Sequence, residues 1–301
     1  MPETSISQQS GQGSVPKITV AMPVFNGGPH LRLAVLSIVG QTFPDWELLI
    51  IDDGSTDNAL QDIADIHDSR IRILRDGSNK GLAARLNEAI DLARGQYFAR
   101  MDHDDVSYPE RFARQIALLE SNPDLDVVAV RAVTISDGNE LVGRFPGPLS
   151  HREICARPWQ GFYFPHPTWM GQTTWFRTHR YASPAPYYCE DQELLLRSHA
   201  KSRFATVDQV LFAYRVQNRI NWRKLTKARW TLFNVQLRYF LDSGQYHFAL
   251  LALAAFAGRV ASDLVKLLRL TLTGHQYSRA TLDPAASSKW QEVLQKTLEK
   301  A

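Results

Sequence analysis

Glu47-Leu48-Leu49-Ile50-Ile51, followed at once by Asp52-Asp53-Gly54-Ser55-Thr56-Asp57, is the stretch on which the fold turns. The apolar run is continuous, with no polar residue at alternate positions. Such a strand belongs to a sheet covered on both faces by helices. Working outward, Ile18 to Phe25 reads as a second strand, and Leu31 to Val39 as a helix with Pro29 near its first turn. Ser55 or Thr56 is placed to cap a helix running to about Ile66. Arg70 to Leu74 and Tyr97 to Met101 read as strands. Between them, Leu82, Leu86, Ala89, Ile90 and Ala93 fall at helical spacing, closed by Gly95. Pro109 opens a helix that stops before Asn122-Pro123. Val127 to Val133 is a fifth strand, and Asp137-Gly138-Asn139 signals a turn into a return strand. Residues 143 to 188 read as irregular, Glu190 to Ala200 as a helix and Gln209 to Val216 as a strand. Beyond Trp222 only helical patterns remain. The alternation predicts an α/β fold: a Rossmann-like, mostly parallel sheet with helices on both faces, plus a C-terminal helical extension. The expected divisions are a flexible polar tail over 1–16, an α/β domain over 17–217 and a basic amphipathic extension over 218–301.

With 301 residues, 44% hydrophobic and 22% charged, the chain can bury a large core and is not a disordered protein. The net charge of +3 excludes little, but its distribution is uneven. Thirteen Lys or Arg stand against three acids (Asp208, Asp242, Asp263) between Lys201 and Arg279, whereas acids crowd between Asp45 and Asp126. That pattern points to cation binding in the first region and an anionic partner for the second. Cys155 and Cys189 have neither metal-ligand spacing nor the number for a disulfide framework, which suits a reducing, cytoplasmic compartment. The first sixteen residues lack the apolar stretch of a signal peptide. The longest apolar run, Phe248 to Gly258, is eleven residues. A spanning helix needs about twenty, so no transmembrane segment is expected.

In a sheet of this kind ligands bind outside the carboxyl ends of the strands. Two acidic clusters fall there: Asp52-Asp53, and Asp102-His103-Asp104-Asp105. Carboxylates this close repel one another, and a divalent cation, Mg²⁺ or Mn²⁺, relieves the repulsion. A polar turn with a helix cap before Pro109 is the alternative. A tight turn and helix cap likewise explain Gly54, Ser55 and Asp57, but not Asp52. Asn79-Lys80-Gly81 precedes a helix N-terminus and reads either as an ordinary cap or as a phosphate site. Neither that loop nor Phe25-Asn26-Gly27-Gly28 carries G-x-G-x-x-G or a P-loop, which argues against a dinucleotide or ATPase site. Glu190-Asp191 either complements a helix dipole or supplies a general base. The aromatic segment Trp159 to Trp175 reads as a sugar-stacking platform or as a satellite core. Residues 222–272, with Trp222, Arg223, Lys224, Lys227, Arg229 and Trp230 at their head, suit an amphipathic surface on an anionic membrane, or else a helical cap with a solvated basic face.

Taken in order, these segments resemble the family-2 glycosyltransferases of GT-A fold, over about residues 17 to 216. The motifs are Thr19 to Asn26, Ser37-Ile38 with Gln41-Thr42-Phe43, Leu49 to Asp57, Asn79-Lys80-Gly81, Met101 to Asp105 and Glu190-Asp191. The resemblance implies an inverting, metal-dependent transfer of one sugar from a nucleotide diphosphate sugar, UDP-linked, to a hydroxyl acceptor. It implies that Pro23, Val24 and Phe25 line the base pocket, with Asn26, Asp53, Lys80 and Gly81 also on the nucleotide-sugar side. Asp52 would hydrogen-bond the base, Asp102 would lie near ribose and metal, Asp104 would ligate Mn²⁺ or Mg²⁺, and Asp191, beside Glu190, would deprotonate the acceptor. The chain departs from the pattern at Phe25, where Tyr is frequent, at His103, expected in the cleft wall, and at Gln217, where His is frequent. It lacks Gln-x-x-Arg-Trp, the mark of processive polymerases: Arg229-Trp230 has no such Gln. The basic extension makes a lipid-linked or cell-surface glycan intermediate the expected acceptor, with the enzyme peripheral on the inner membrane face and engaged in polysaccharide biosynthesis. A nucleotidyltransferase, which would release pyrophosphate, and a non-catalytic sugar-nucleotide or nucleic-acid binder, which would leave Asp191 without a task, are the rival readings. No nucleic-acid partner is expected.

Overall fold

The computed structural model describes residues 15–145, 147–216, 221–273 and 284–300. The expected N-terminal tail, up to residue 14, and Gln217 lie outside them. Among the described residues nine strands form one sheet: β1 (Ile18–Val24), β2 (Trp46–Asp52), β3 (Ile71–Arg75), β4 (Tyr97–Arg100), β5 (Val106–Ser107), β6 (Val127–Ile135), β7 (Leu141–Phe145), β8 (Met170–Gln172) and β9 (Phe204–Arg215). Their order is β3-β2-β1-β4-β8-β6-β9-β5, with β7 paired to β6. The first four strands are parallel, and β6 and β9 also run parallel; β8 joins the two parts by antiparallel pairing with β4 and β6. In register, Val24 lies beside Asp52 and Ala21 beside Arg100, so β1, β2 and β4 deliver Phe25, Asp53 and Asp102 to the same edge.

Helices cover both faces, as the continuous apolar strands require. Ile18, Val20, Met22 and Val24 of β1 join one core with Leu31 and Val35 of α1 (Leu31–Val39) and Phe112 of α3 (Arg111–Ser121). Ala21, Leu49 and Ile51 join a second core with Leu86 and Ile90 of α2 (Leu82–Leu92). The acid near the start of β2 is accounted for locally. Buried Glu47 accepts from Thr19 Oγ1 at 2.7 Å and from Arg94 Nε at 2.8 Å.

Several sequence expectations change. The helix expected from residue 55 to 66 is a loop with one 3-10 turn, Gln61–Ile63. The side chains that would cap it are engaged elsewhere: Ser55 Oγ accepts from Asn26 N at 3.0 Å, Thr56 Oγ1 donates to Asn26 Oδ1 at 3.3 Å, and Asp57 Oδ2 accepts from Gly28 N at 2.8 Å. The stretch 143–188 contains α4 (His151–Ile154), β8 and α5 (Thr173–Thr178), elements too short to display a period. Its aromatics are mostly satellite core rather than platform: Phe162, Phe164, Trp169 and Trp175 are buried, and Tyr163 is exposed. Strand β9 begins five residues earlier than expected, because exposed Asp208 and Gln209 mark an irregularity in its pairing with β6 rather than a strand end.

Beyond α6 (Glu190–Ser198) lie α7 (Trp222–Asp242), α8 (Tyr246–Thr273) and α9 (Pro284–Leu298). Phe240 of α7 and Ala249 and Ala252 of α8 enter the second core, and Gln236 Nε2 donates to Pro158 O at 2.8 Å. The expected absence of a membrane-length segment is corrected. Arg259 interrupts the apolar run without ending the helix, and Tyr246–Arg269 is long and apolar enough, by length and composition, to cross a membrane. Only 11% of its apolar eighteen-residue window is buried, so it is not a core helix. Helix α9 returns to the first core. Fully buried Trp290 stacks on Tyr108 at 6.3 Å and donates Nε1–H to Asn139 O at 2.8 Å. Trp290→Ala should therefore cost about 3–5 kcal/mol in urea unfolding; a loss below about 1 kcal/mol would mean that the helix does not hold the core.

Candidate active site

The carboxyl edge of β1, β2 and β4 opens into a cleft of about 430 Å³. Pro23, Val24, Phe25 and Asp53 line one side, Asp102, His103 and Asp104 the base, and Glu190 and Asp191 the side formed by α6. His103 lines the cleft, with Nδ1 3.3 Å from Pro23 O.

The acid turn after β4 is held from behind by Arg215 of β9. Its Nε donates to Asp104 O at 2.6 Å, and its backbone N–H to Asp105 Oδ1 at 2.7 Å. Oxygens of Asp102, Asp104 and Asp105 lie within 4.8 Å of one another. Burial, with the charge of Asp102 next, pushes the Asp104 carboxyl above the usual range; burial and both neighbours push Asp105 well above it. Asp105 Oδ2 is buried and has no donor. Three hard oxygen ligands with one buried oxygen unsatisfied fit a divalent cation such as Mn²⁺ or Mg²⁺.

On the opposite wall, Glu190 and Asp191 begin α6. Burial, with the Asp191 charge next, pushes Glu190 up to about 7. Burial also raises Asp191, opposed by Gln192 Nε2, which donates to Asp191 Oδ2 at 3.1 Å. Gln192 is itself fixed, exchanging hydrogen bonds with Phe162 N and O at 2.8 and 3.1 Å. His166 Nδ1 lies 3.8 Å from Glu190 Oε1, but burial holds the imidazole far below its ordinary range, so the contact is not an ion pair. Its Nε2 meets Tyr181 Oη at 2.6 Å.

Four of the expected residues stand behind the wall rather than on it. Asp52 is buried, accepts from Ser55 N at 3.0 Å and lies 3.6 Å from Arg75 Nε. Asn26, at φ 51°, laces β1 to the loop after β2 through Ser55 and Thr56. Lys80 Nζ pairs with Asp76 at 2.5 Å, and Gly81 takes φ 86° at the head of α2. The backbone N–H groups of Lys80 and Gly81 donate to Asp53 at 2.7 and 3.0 Å, so Asp53 rather than a phosphate occupies that helix N-terminus. Arg85, fully buried, completes the cage: Nε donates to Asp53 at 2.9 Å while its fork holds Asp76 and Glu88. Removing it strands a buried carboxylate. Arg85→Met should cost about 3–5 kcal/mol, and Arg85→Lys should recover little of that, because one ammonium cannot span three carboxylates. Chemical denaturation of the two variants checks both statements.

Sequence reading missed Arg100, Tyr188 and Tyr214, which also line the cleft. Arg100 had a visible signal: it is the one charge in Tyr97-Phe98-Ala99-Arg100. Buried, it donates to Asp102 at 2.6 and 3.2 Å and sets a fixed positive charge between the acid turn and Glu190. Tyr188 and Tyr214 arrive from a loop and from β9, and no local pattern announces them.

A mixed α/β sheet with acids gathered at the ends of β2 and β4, facing a carboxylate pair on a helix, defines a sugar-transferring enzyme of GT-A type. The chain belongs to the family described as Glycosyl transferase family 2, which matches residues 19–180. Among curated relatives, the Escherichia coli protein named UDP-Glc:alpha-D-GlcNAc-diphosphoundecaprenol beta-1,3-glucosyltransferase WfgD is 30% identical over 131 residues, 44% of this chain and 51% of WfgD. The match to another relative, EpsE of Bacillus subtilis, spans 59% of that protein. Among solved structures, Staphylococcus aureus TarS (residues 1–349) in complex with UDP-GlcNAc superposes with a TM-score of 0.62 at 15% identity, covering 94% of this chain and 81% of that one. The mannosyltransferase PcManGT of Pyrobaculum calidifontis, in complex with GDP-Man and Mn²⁺, gives 0.57 at 17% identity, covering 95% and 86%. These likenesses establish the shared fold.

Proposed function

We propose that this glycosyltransferase moves one sugar, with inversion, from a UDP-linked donor to a hydroxyl of a lipid-linked or cell-surface glycan intermediate, and that it requires Mn²⁺ or Mg²⁺. One observation carries the reading: a single cleft brings Asp102 and Asp104 of the acid turn together with Glu190 and Asp191. In it, Pro23, Val24 and Phe25 pack on the base, while Asp52, Asn26, Asp53, Lys80 and Gly81 hold the loops that shape the nucleotide side. Asp104 and Asp102 would hold the metal, which when bound offsets the charge building on the departing diphosphate. Asp191 accepts the proton of the acceptor hydroxyl as its oxygen bonds to the anomeric carbon and the bond to the diphosphate breaks. Gln192, which donates to Asp191 Oδ2, keeps that carboxylate aimed into the cleft.

The UDP-GlcNAc in TarS and the donor in WfgD's name support a uridine nucleotide; GDP-Man in PcManGT is the competitor. The lipid diphosphate in WfgD's name supports the acceptor class. The exposed apolar stretch of α8 supports a peripheral position on the inner membrane face. Arg259 Nη2 donates to Gln160 O, and Arg229 pairs with Asp263, ties that favour lying on a membrane over crossing it. A panel of nucleotide sugars scored by thermal shift with and without Mn²⁺ tests the reading, since a bound donor stabilises the fold by mass action. A Mn²⁺-dependent shift with UDP-sugars and release of a nucleoside diphosphate are expected. Release of pyrophosphate, or no shift with any donor, overturns it.

A further inference from the structure

Donor chemistry leaves unused a groove of about 350 Å³ between α7 and α8. Trp222, Thr226 and Trp230 wall it on one side, Phe256, Leu264 and Leu267 on the other. The Arg229–Asp263 ion pair in its lining ties the two helices together and fixes their spacing. Trp230 is 55% exposed and Leu264 61%, so the groove is open along its length.

The head of the same helix stands at the mouth of the catalytic cleft. Lys224 Nζ lies 5.7 Å from the ring centre of Tyr188, a cleft residue, and Lys227 Nζ lies 3.8 Å from that of Tyr187. Both lysines are exposed, and no described carboxylate forms a salt bridge with either. Helix α7 holds no acid before Asp242. An ammonium group resting on an aromatic face is positioned while keeping its N–H donors for an anion. Lys224, Lys227 and Trp230 follow one i, i+3 row of the helix and span about 9 Å along its axis. A phosphate at the two lysines therefore has Tyr188 of the catalytic cleft beside one end of that row and Trp230, the near wall of the apolar groove, at the other.

We infer that the acceptor is a phosphate- or diphosphate-linked lipid whose phosphates sit on Lys224 and Lys227 and whose hydrocarbon chain lies in the α7–α8 groove. The inference rests on the transferase reading of the cleft and supplies it with an acceptor subsite. A flat bilayer contact alone needs neither a groove nor lysines aligned with the cleft.

The test titrates the full chain, with UDP and Mn²⁺ saturating so that the donor site is closed to diphosphates. The probes are farnesyl diphosphate, farnesol and inorganic pyrophosphate. Farnesyl diphosphate is expected to bind at least about tenfold more tightly than either half alone. The Lys224→Ala/Lys227→Ala variant should lose about tenfold or more for both diphosphates. Trp230→Ser and, separately, Leu264→Ser should bring farnesyl diphosphate down to the affinity of pyrophosphate. Both replaced side chains are more than half exposed, and the thermal midpoint of each variant checks its fold, so one can stand in for the other. Equal affinity for the three probes, or variants that bind like the parent, overturns the inference. Failure of the transferase reading shows separately, as absence of UDP–Mn²⁺ binding by the parent chain.

Discussion

Asp104→Ala is expected to lower sugar transfer by about a thousandfold or more and to remove the Mn²⁺ dependence of donor binding. The side chain lies in a cluster of three carboxylates, of which burial and the neighbouring charges hold Asp104 and Asp105 above their usual range. A cation relieves that repulsion, so deleting one carboxylate removes a ligand and makes the cation less necessary to the fold. Two readouts should then move in opposite directions. Transfer of labelled sugar falls, while the melting temperature without metal stays level or rises. Full activity in the variant would sink the metal assignment. Loss of activity together with a collapse in thermal stability would point instead to a structural turn.

Asp191→Asn is expected to lower kcat by about a hundred- to ten-thousandfold with donor KM little changed, because the amide keeps the shape of the carboxylate and cannot take the proton. Its neighbour governs the pH dependence. The pair titrates as a unit, and burial with the Asp191 charge pushes Glu190 up to about 7. The kcat/KM profile should therefore rise with pH through about 7. Glu190→Gln removes the like charge, so the remaining inflection should move to lower pH. Stability follows with opposite sign. A carboxyl raised above its unfolded value favours the fold at low pH and loses that contribution as pH rises through about 7. Glu190→Gln should accordingly melt above the parent at pH 8, and at pH 4 by a smaller margin. A parent kcat/KM profile flat from pH 5 to 9 would remove Asp191 and Glu190 as the acid–base pair.

The sheet was legible because strands β1, β2 and β4, buried on both faces, leave mostly apolar runs that alternate with helical patterns. The site was legible where a function concentrates in adjacent residues, as in Asp102–Asp105 and Glu190-Asp191. Two kinds of feature escaped. Short elements such as Val106–Ser107 and Met170–Gln172 are fixed by pairing partners far along the chain and carry no period of their own. The loop after β2 looked helical because Ser55, Thr56 and Asp57 are capping residues, and only the fold reveals that they cap another loop instead. The roles of Asp53 and Lys80 changed for a related reason: a buried arginine thirty-two residues after Asp53 takes the carboxylate, and Asp76 takes the ammonium. In α8 the count of uninterrupted apolar residues misled, because a helix tolerates a single arginine that hydrogen-bonds a neighbouring carbonyl.

The return of α9 to the first core has a consequence for how such enzymes diversify. Helices α7 and α8 are anchored on the catalytic domain at one end by Phe240 and Gln236, and the chain beyond them is anchored again by Trp290. The hairpin is thus a handle fastened at both ends, not a dangling tail. On the acceptor subsite inferred above, exchanging such a handle between relatives is expected to alter what the enzyme glycosylates while the donor side keeps its parts. A chimera that carries a relative's α7–α8 segment between this chain's own α6 and α9 should keep its nucleotide preference and take on the relative's acceptor.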